Sequence, residues 1–283
     1  MSFIEVKNVE RYYKGKKPIL SKSKEPPVIK AVDGVSFTLD EGETVGIIGE
    51  SGCGKSTLGR VLVGLDQSTG GEVLYEGKSA EEWKKENRLG FHRMCQMVFQ
   101  NPFDTFDARQ TVEKILLEPL RLHRIGNNDK ERHVLIREAL ENGGMKPANL
   151  YLNRYPHQLS GGQLQRISII RAMLLQPKFL IADEPVSMLD VSVRAEIIKM
   201  LQDLTEKNKT SLIFISHDIA TTQHISDRLV VMYFGKVVET GPTEHVIKKP
   251  QHDYTKLLLN SVASVDPRKG KRAERMKERI GVS

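Results

Sequence analysis

Short apolar runs rich in β-branched residues alternate along the chain with stretches where apolar positions recur every third or fourth residue. The two periods predict buried strands and amphipathic helices in alternation. Residues 4–9 alternate in the manner of an edge strand, and Tyr12-Tyr13 follows it. Residues 14–27 are rich in Lys, Ser and Pro and read as a surface loop. Strands are expected at 35–39 and 44–48, joined by Asp40-Glu41-Gly42-Glu43 as a turn of the hairpin type. A helix is predicted over 57–63, then a turn at 68–72 leads into a strand at 73–75. A short buried strand at 96–99 ends in Gln100-Asn101-Pro102.

From 112 to 152 the pattern is helical, through Ile115, Leu116 and Leu120 and again through Val134, Leu135 and Leu140, with Gly143-Gly144 as a stop. The block reads as a helical subdomain inserted in an α/β core. Alternation resumes with a helix at 162–176, a fully apolar strand at 179–182, a helix at 191–207 and a strand at 211–215. Strands at 229–234 and 236–239 flank Gly235. Wholly apolar strands of this kind are those of a parallel sheet covered on both faces. The fold class is therefore α/β.

Composition narrows the partners. The 283 residues carry 43 basic and 36 acidic side chains, net +7, and only 6% aromatics, so nothing calls for nucleic acid. The two cysteines, Cys53 and Cys95, lack metal-ligand spacing and read as free thiols of a reducing compartment. The N-terminus has no secretory pattern and no run approaches the length of a membrane helix, so the expectation is a soluble or peripheral protein.

The chemistry centres on Gly49-Glu50-Ser51-Gly52-Cys53-Gly54-Lys55-Ser56-Thr57, which fills G-x-x-x-x-G-K-[ST] between a predicted strand and a predicted helix. This is a phosphate-binding loop: its glycines let successive N–H groups approach phosphate oxygens, Lys55 supplies charge, and the Ser56 hydroxyl is a ligand for Mg²⁺. Asp183-Glu184 ends the apolar strand at 179–182, where ligands of parallel sheets bind. Asp183 can hold the metal through its water shell and Glu184 can polarise a water toward the γ-phosphate, although two acids at a strand end also suit a plain solvated turn. Leu159-Ser160-Gly161-Gly162-Gln163 opens a helix. Taken alone it reads as an N-cap with a flexible turn, and equally has the exposed N–H groups of a second anion site.

The phosphate loop, Leu159 to Gln163, Asp183-Glu184, Ser187-Met188-Leu189-Asp190 and Ser216-His217-Asp218, in that order, resemble the ATP-binding subunits of ABC transporters. The resemblance implies a P-loop NTPase core of the ABC ATPase type with an N-terminal antiparallel β-subdomain and an inserted helical subdomain. It implies a cassette over residues 1–261, its helical part at about 100–155, and a C-terminal extension over 236–283. ATP and Mg²⁺ are the implied cofactors. Tyr13 matches the aromatic that stacks on adenine, with Tyr12 as the alternative. Gln100 matches the glutamine that contacts the metal and the attacking water. Ser160, Gly161, Gly162 and Gln163 match the segment that clamps the nucleotide of the opposite subunit. Asp190 matches the aspartate that couples the two sites, and His217 the histidine that contacts the γ-phosphate. Met188 departs from the small residue common at its position.

The finer resemblance is to ATPases of dipeptide and oligopeptide permeases, a branch that includes nickel importers. It is carried by Glu50 and Cys53 in the loop, by Gln100-Asn101-Pro102, by Ala182 to Ser187 and Leu189 to Ser192, and by Gly241-Pro242 followed by Pro250-Gln251-His252-Asp253-Tyr254-Thr255 and Leu257-Leu258, where Asp253 replaces the usual proline. Some members hold an iron–sulfur cluster near that end by cysteines; this chain has none there. The implied partners are a second, related ATPase subunit, two transmembrane permeases and an extracytoplasmic solute-binding protein. The implied location is the cytoplasmic face of the membrane. A metal-chelate importer and a soluble non-transport ABC ATPase are the alternatives, the latter disfavoured by a single cassette without sustained heptads. The basic tail beyond 266 reads as a solvated end, or as a segment that lies on anionic lipid.

Overall fold

The computed structural model describes residues 2–15 and 28–263. Most of the Lys/Ser/Pro-rich loop and the basic tail lie outside the described residues. Strand β1 (Ile4–Lys14) and strand β2 (Val28–Leu39) precede β3 (Thr44–Ile48), which feeds the phosphate loop and helix α1 (Lys55–Leu62). Strands β4 (Gly70–Tyr75) and β5 (Lys78–Ser79) lead into α2 (Ala80–Met94) and β6 (Cys95–Val98). The helical block follows as α3 (Val112–Leu122), α4 (Asp129–Asn142) and the short α5 (Asn149–Leu152). Then come α6 (Gly161–Met173), β7 (Phe179–Asp183), α7 (Val191–Asn208) and β8 (Ser211–Ser216). The chain continues through α8 (Ile219–Ile225), β9 (Arg228–Tyr233), β10 (Lys236–Pro242), α9 (Thr243–Lys248) and α10 (Asp253–Ala263).

These elements form two compact units. One gathers Leu39–Glu43 and Leu74–Ile213 with the chain start up to Ile4, the other Glu5–Thr38, Thr44–Val73 and the chain from Phe214 onward.

In the first unit β6 pairs with β7 in parallel register, Cys95 opposite Phe179 and Val98 opposite Ala182. Phe179, Leu180, Ile181 and Ala182 have no exposed surface, which is why their run shows no alternation. Helix α6 packs on α7, on β6 and on α3 and α4 of the helical block. Leu116, Leu120, Ile136 and Leu140, at helical spacing, are wholly buried. Helix α2 was not expected from apolar periodicity. Its start is a capping box, in which Ser79 Oγ accepts from Glu82 N–H and the Glu82 carboxylate accepts from Ser79 N–H at 2.8 Å.

In the second unit β3 pairs in parallel with β9, and β9 pairs antiparallel with β10 across Phe234-Gly235. The other sheet runs β2-β1-β4, so β1 lies between two neighbours and is not the edge strand its position suggested. Tyr12 and Tyr13 lie within β1 instead of after it. The turn at residues 40–43 does not close a hairpin either: β2 belongs to the β2-β1-β4 sheet and β3 pairs with β9. Gly70 and Gly71, expected in a turn, already belong to β4. The core under the phosphate loop comprises Ile48, Ile219, Leu229, Val231, Val246 and Tyr254.

Candidate nucleotide-binding site

In the second unit, β3 delivers the chain from a buried Ile47-Ile48 straight into the loop. Two glycines are required by space as much as by conformation. Gly54 has φ +106° and a Cβ there would sit 1.9 Å from Ala31 O; a Cβ on Gly49 would lie 2.3 Å from Met232 O. The loop is thus wedged against the backbone of β2 and β9. Gly235 adds a third hold, donating its N–H to Cys53 O at 2.9 Å. Gly54 is also the N-cap of α1 and brings no side chain to cap it, so the N–H groups of the first turn receive no side-chain cap.

Lys55 is 4% exposed, and its ammonium donates to Gly49 O at 2.8 Å and Glu50 O at 2.9 Å, with Cys53 Sγ at 3.9 Å. A buried ammonium survives only with such acceptors, and phosphate oxygens are stronger ones. Ser51, Gly52 and Ser56 are exposed along the loop, with Thr57 partly so. His217 is exposed in the turn from β8 to α8. That turn is fixed by Ser216 Oγ, which accepts from Asp218 N–H at 2.9 Å, and by Asp218, which caps α8.

Both tyrosines are engaged. Tyr12 donates to Asp33, with the Lys30 ammonium 5.0 Å from its ring. Tyr13 donates to Asp66 at 3.3 Å, and the Arg11 guanidinium lies 4.6 Å from its ring centroid. Asp66 is in turn bound by Arg60 of α1, which ties Tyr13 to the helix of the phosphate loop. That link distinguishes it from Tyr12, because successive strand residues face opposite ways.

The first unit assembles a second group. Asp183 is 6% exposed at the end of β7. Glu184 follows at φ +45°, a backbone region costly for a side chain bearing a Cβ and found where a group must be aimed. Gln100 Nε2 donates to the Glu184 carboxylate at 3.1 Å and reaches Ser187 Oγ at 3.4 Å; Ser187 Oγ donates to Glu184 O at 3.1 Å. Ser187 was named in the sequence only as part of Ser187-Met188-Leu189-Asp190, with no role of its own, and it holds both Gln100 and the Glu184 backbone.

Also in this unit, Ser160 Oγ accepts from Gln163 N–H at 3.3 Å and Gln163 Oε1 accepts from Ser160 N–H at 3.0 Å, so α6 begins with a capping box. A Cβ on Gly162 would meet Val193 Cγ1 at 2.7 Å. Ser160 to Gln163, Arg166 and Leu189-Asp190 line an open cleft of about 300 Å³. Asp190 is exposed as the N-cap residue of α7, and Met188, 65% exposed, borders the same cleft. The capping box matches the N-cap reading of this segment.

Residues 32–187 match the family model described as ABC transporter. The chain belongs to the ABC transporter family. Residues 238–281 match a second model, the C-terminal region of oligopeptide/dipeptide transporters. A putative oligopeptide transport ATP-binding protein of Bacillus subtilis, YkfD, is 45% identical over 88% of this chain and 75% of its own length. The dipeptide transport ATP-binding protein DppF of Haemophilus influenzae is 43% identical over 95% of this chain and 80% of its own. A solved dimeric ATP-binding cassette in a post-hydrolysis state bound to ADP and Pi superposes with a TM-score of 0.74 at 28% identity, over 85% of this chain and 98% of that one. As an ABC ATPase the chain binds ATP and couples its hydrolysis to transport by membrane permeases. None of its described helices is long and apolar enough to cross a membrane.

Proposed function

We propose that the chain is the ATP-hydrolysing subunit of an importer of dipeptides or oligopeptides. The observation that carries the cargo class is the joining of an ABC cassette to the C-terminal region of oligopeptide/dipeptide transporters over residues 238–281. In this reading Gly49 to Thr57 cradle the phosphates, Lys55 exchanging its loop carbonyls for phosphate oxygens, and Tyr13 stacks on the adenine. Glu184 is the base that orients the attacking water, held by Gln100, and His217 contacts the γ-phosphate.

Mg²⁺ suits the donors: Ser56 hydroxyl, Gln100 amide oxygen and Asp183 carboxylate are hard oxygen ligands. The ion would supply charge at the β- and γ-phosphates. Residues 160–163 and Asp190 close over the ATP of a second, related ATPase subunit, and closure drives two permeases served by a solute-binding protein. The cassette spans residues 1–261 with the extension from 236, peripheral on the cytoplasmic face.

The test is purification of the full chain in detergent from its native membrane with every co-purifying protein identified, followed by ATP-driven uptake of labelled peptides in vesicles of the complex. Two permeases, a second ATPase and peptide uptake are expected. Recovery without permeases, or uptake of another solute alone, overturns the reading.

A further inference from the structure

The C-terminal helix α10 reaches the phosphate loop. Tyr254, 1% exposed, accepts at its hydroxyl oxygen the backbone N–H of Glu50, 2.9 Å away and 204 residues earlier in sequence. Its ring lies in the core with Ile48, the last residue of β3 before the loop, and Ile219, two residues after His217. Tyr233 of β9 packs against the same ring at 4.2 Å between centroids. The approach to α10 is fixed as well. The Glu239 carboxylate on β10 accepts the N–H groups of Gln251 and His252 at 2.8 and 3.0 Å, and His252 Nδ1 accepts from Tyr254 N–H at 3.1 Å.

Glu50 carries the first N–H after Gly49, where the chain leaves the sheet, and its carbonyl is one of the two that hold Lys55. An N–H anchored from behind sets the orientation of the Gly49–Glu50 peptide plane, and so of the Gly49 carbonyl in it, which accepts from the Lys55 ammonium at 2.8 Å. We propose that Tyr254 is a positioning residue for the phosphate loop, so that the C-terminal extension sets the ATP affinity of the cassette. The proposal rests on the reading that residues 49–57 bind the nucleotide phosphates.

The test uses the full chain with Mg²⁺ and measures ATP affinity by titration, melting temperature by calorimetry, and hydrogen exchange at the Glu50 amide. Tyr254→Phe keeps the ring and deletes the acceptor. ATP affinity is expected to fall ~3–10-fold, the worth of one net hydrogen bond, with a small shift in melting temperature and faster exchange at Glu50. Leu258→Ala removes apolar packing against the same core and leaves the Tyr254 hydroxyl in place. It is expected to lower the melting temperature and leave ATP affinity unchanged. Lys55→Ala serves as the reference for loss of phosphate binding. If Lys55→Ala weakens ATP binding while Tyr254→Phe stays within twofold of wild type with unchanged Glu50 exchange, the positioning role is wrong and the loop reading stands. If Lys55→Ala leaves affinity unchanged, the loop reading itself fails. Equal loss of affinity in Leu258→Ala would reduce Tyr254 to a packing residue.

Discussion

The phosphate loop and the segment from Ser160 to Gln163 use the same residue types, glycines and a serine at the start of a helix, to different ends. The loop is held at four points by its own unit: Gly54 against Ala31, Gly49 against Met232, Gly235 on Cys53, Tyr254 on Glu50. Its lysine is buried and bonded to two of the loop's own carbonyls. The other segment satisfies its own N-cap through Ser160 and Gln163 and then faces an open cleft. Glycine and serine before a helix therefore do not by themselves define a site. What distinguishes the two is whether the surrounding backbone fixes the loop or leaves one face for another surface.

Gly54→Ala should break that comparison most severely. Its Cβ cannot be placed beside Ala31 O without moving the loop, so ATP affinity is expected to drop by ~10²-fold or more in an equilibrium titration. A variant that binds ATP normally would mean that the wedge against β2 does not shape the cradle.

Glu184→Gln comes next and separates binding from turnover. ATP affinity is expected to persist while the hydrolysis rate of the assembled transporter falls ~10²–10⁴-fold. Near-normal hydrolysis would remove Glu184 as the base and leave the Gln100 contact without its proposed purpose.

The smallest effect belongs to Ser160→Ala. Loss of the N-cap should cost about 1 kcal/mol of stability, read by denaturant unfolding, with ATP affinity of the isolated chain unchanged. A fall in that affinity comparable to the Gly54 variant would show that the segment contributes to the chain's own cradle.

Much of this was written locally in the sequence. The strand at residues 179–183 and the loop at 49–57 were legible because burial on both faces and a fixed G-x-x-x-x-G-K-[ST] spacing leave marks on neighbouring residues. Helix α2 was missed because its surface is dominated by Glu, Lys and Arg and its apolar positions are sparse; the Ser79 and Glu82 pair was the available signal. The turn at residues 40–43 looked like a hairpin because a polar, Gly-containing link has the same composition whether the next strand returns to its sheet or joins another. Strand order is likewise silent in a linear pattern, hence the wrong edge assignment for β1. The hold of Ser187 on Gln100 and of Tyr254 on Glu50 gave no signal because those partners lie 87 and 204 residues away.

Cys53 gives the cradle a built-in clock. Its thiol is 8% exposed, and burial raises its pKa above the ordinary value while Lys55 beside it pulls the other way. A maleimide or iodoacetamide is expected to reach the sulfur faster in molecules whose loop has momentarily left β2 and β9. The labelling rate then counts openings, as amide exchange does. ATP, by occupying the closed form, should slow the clock in proportion to its saturation.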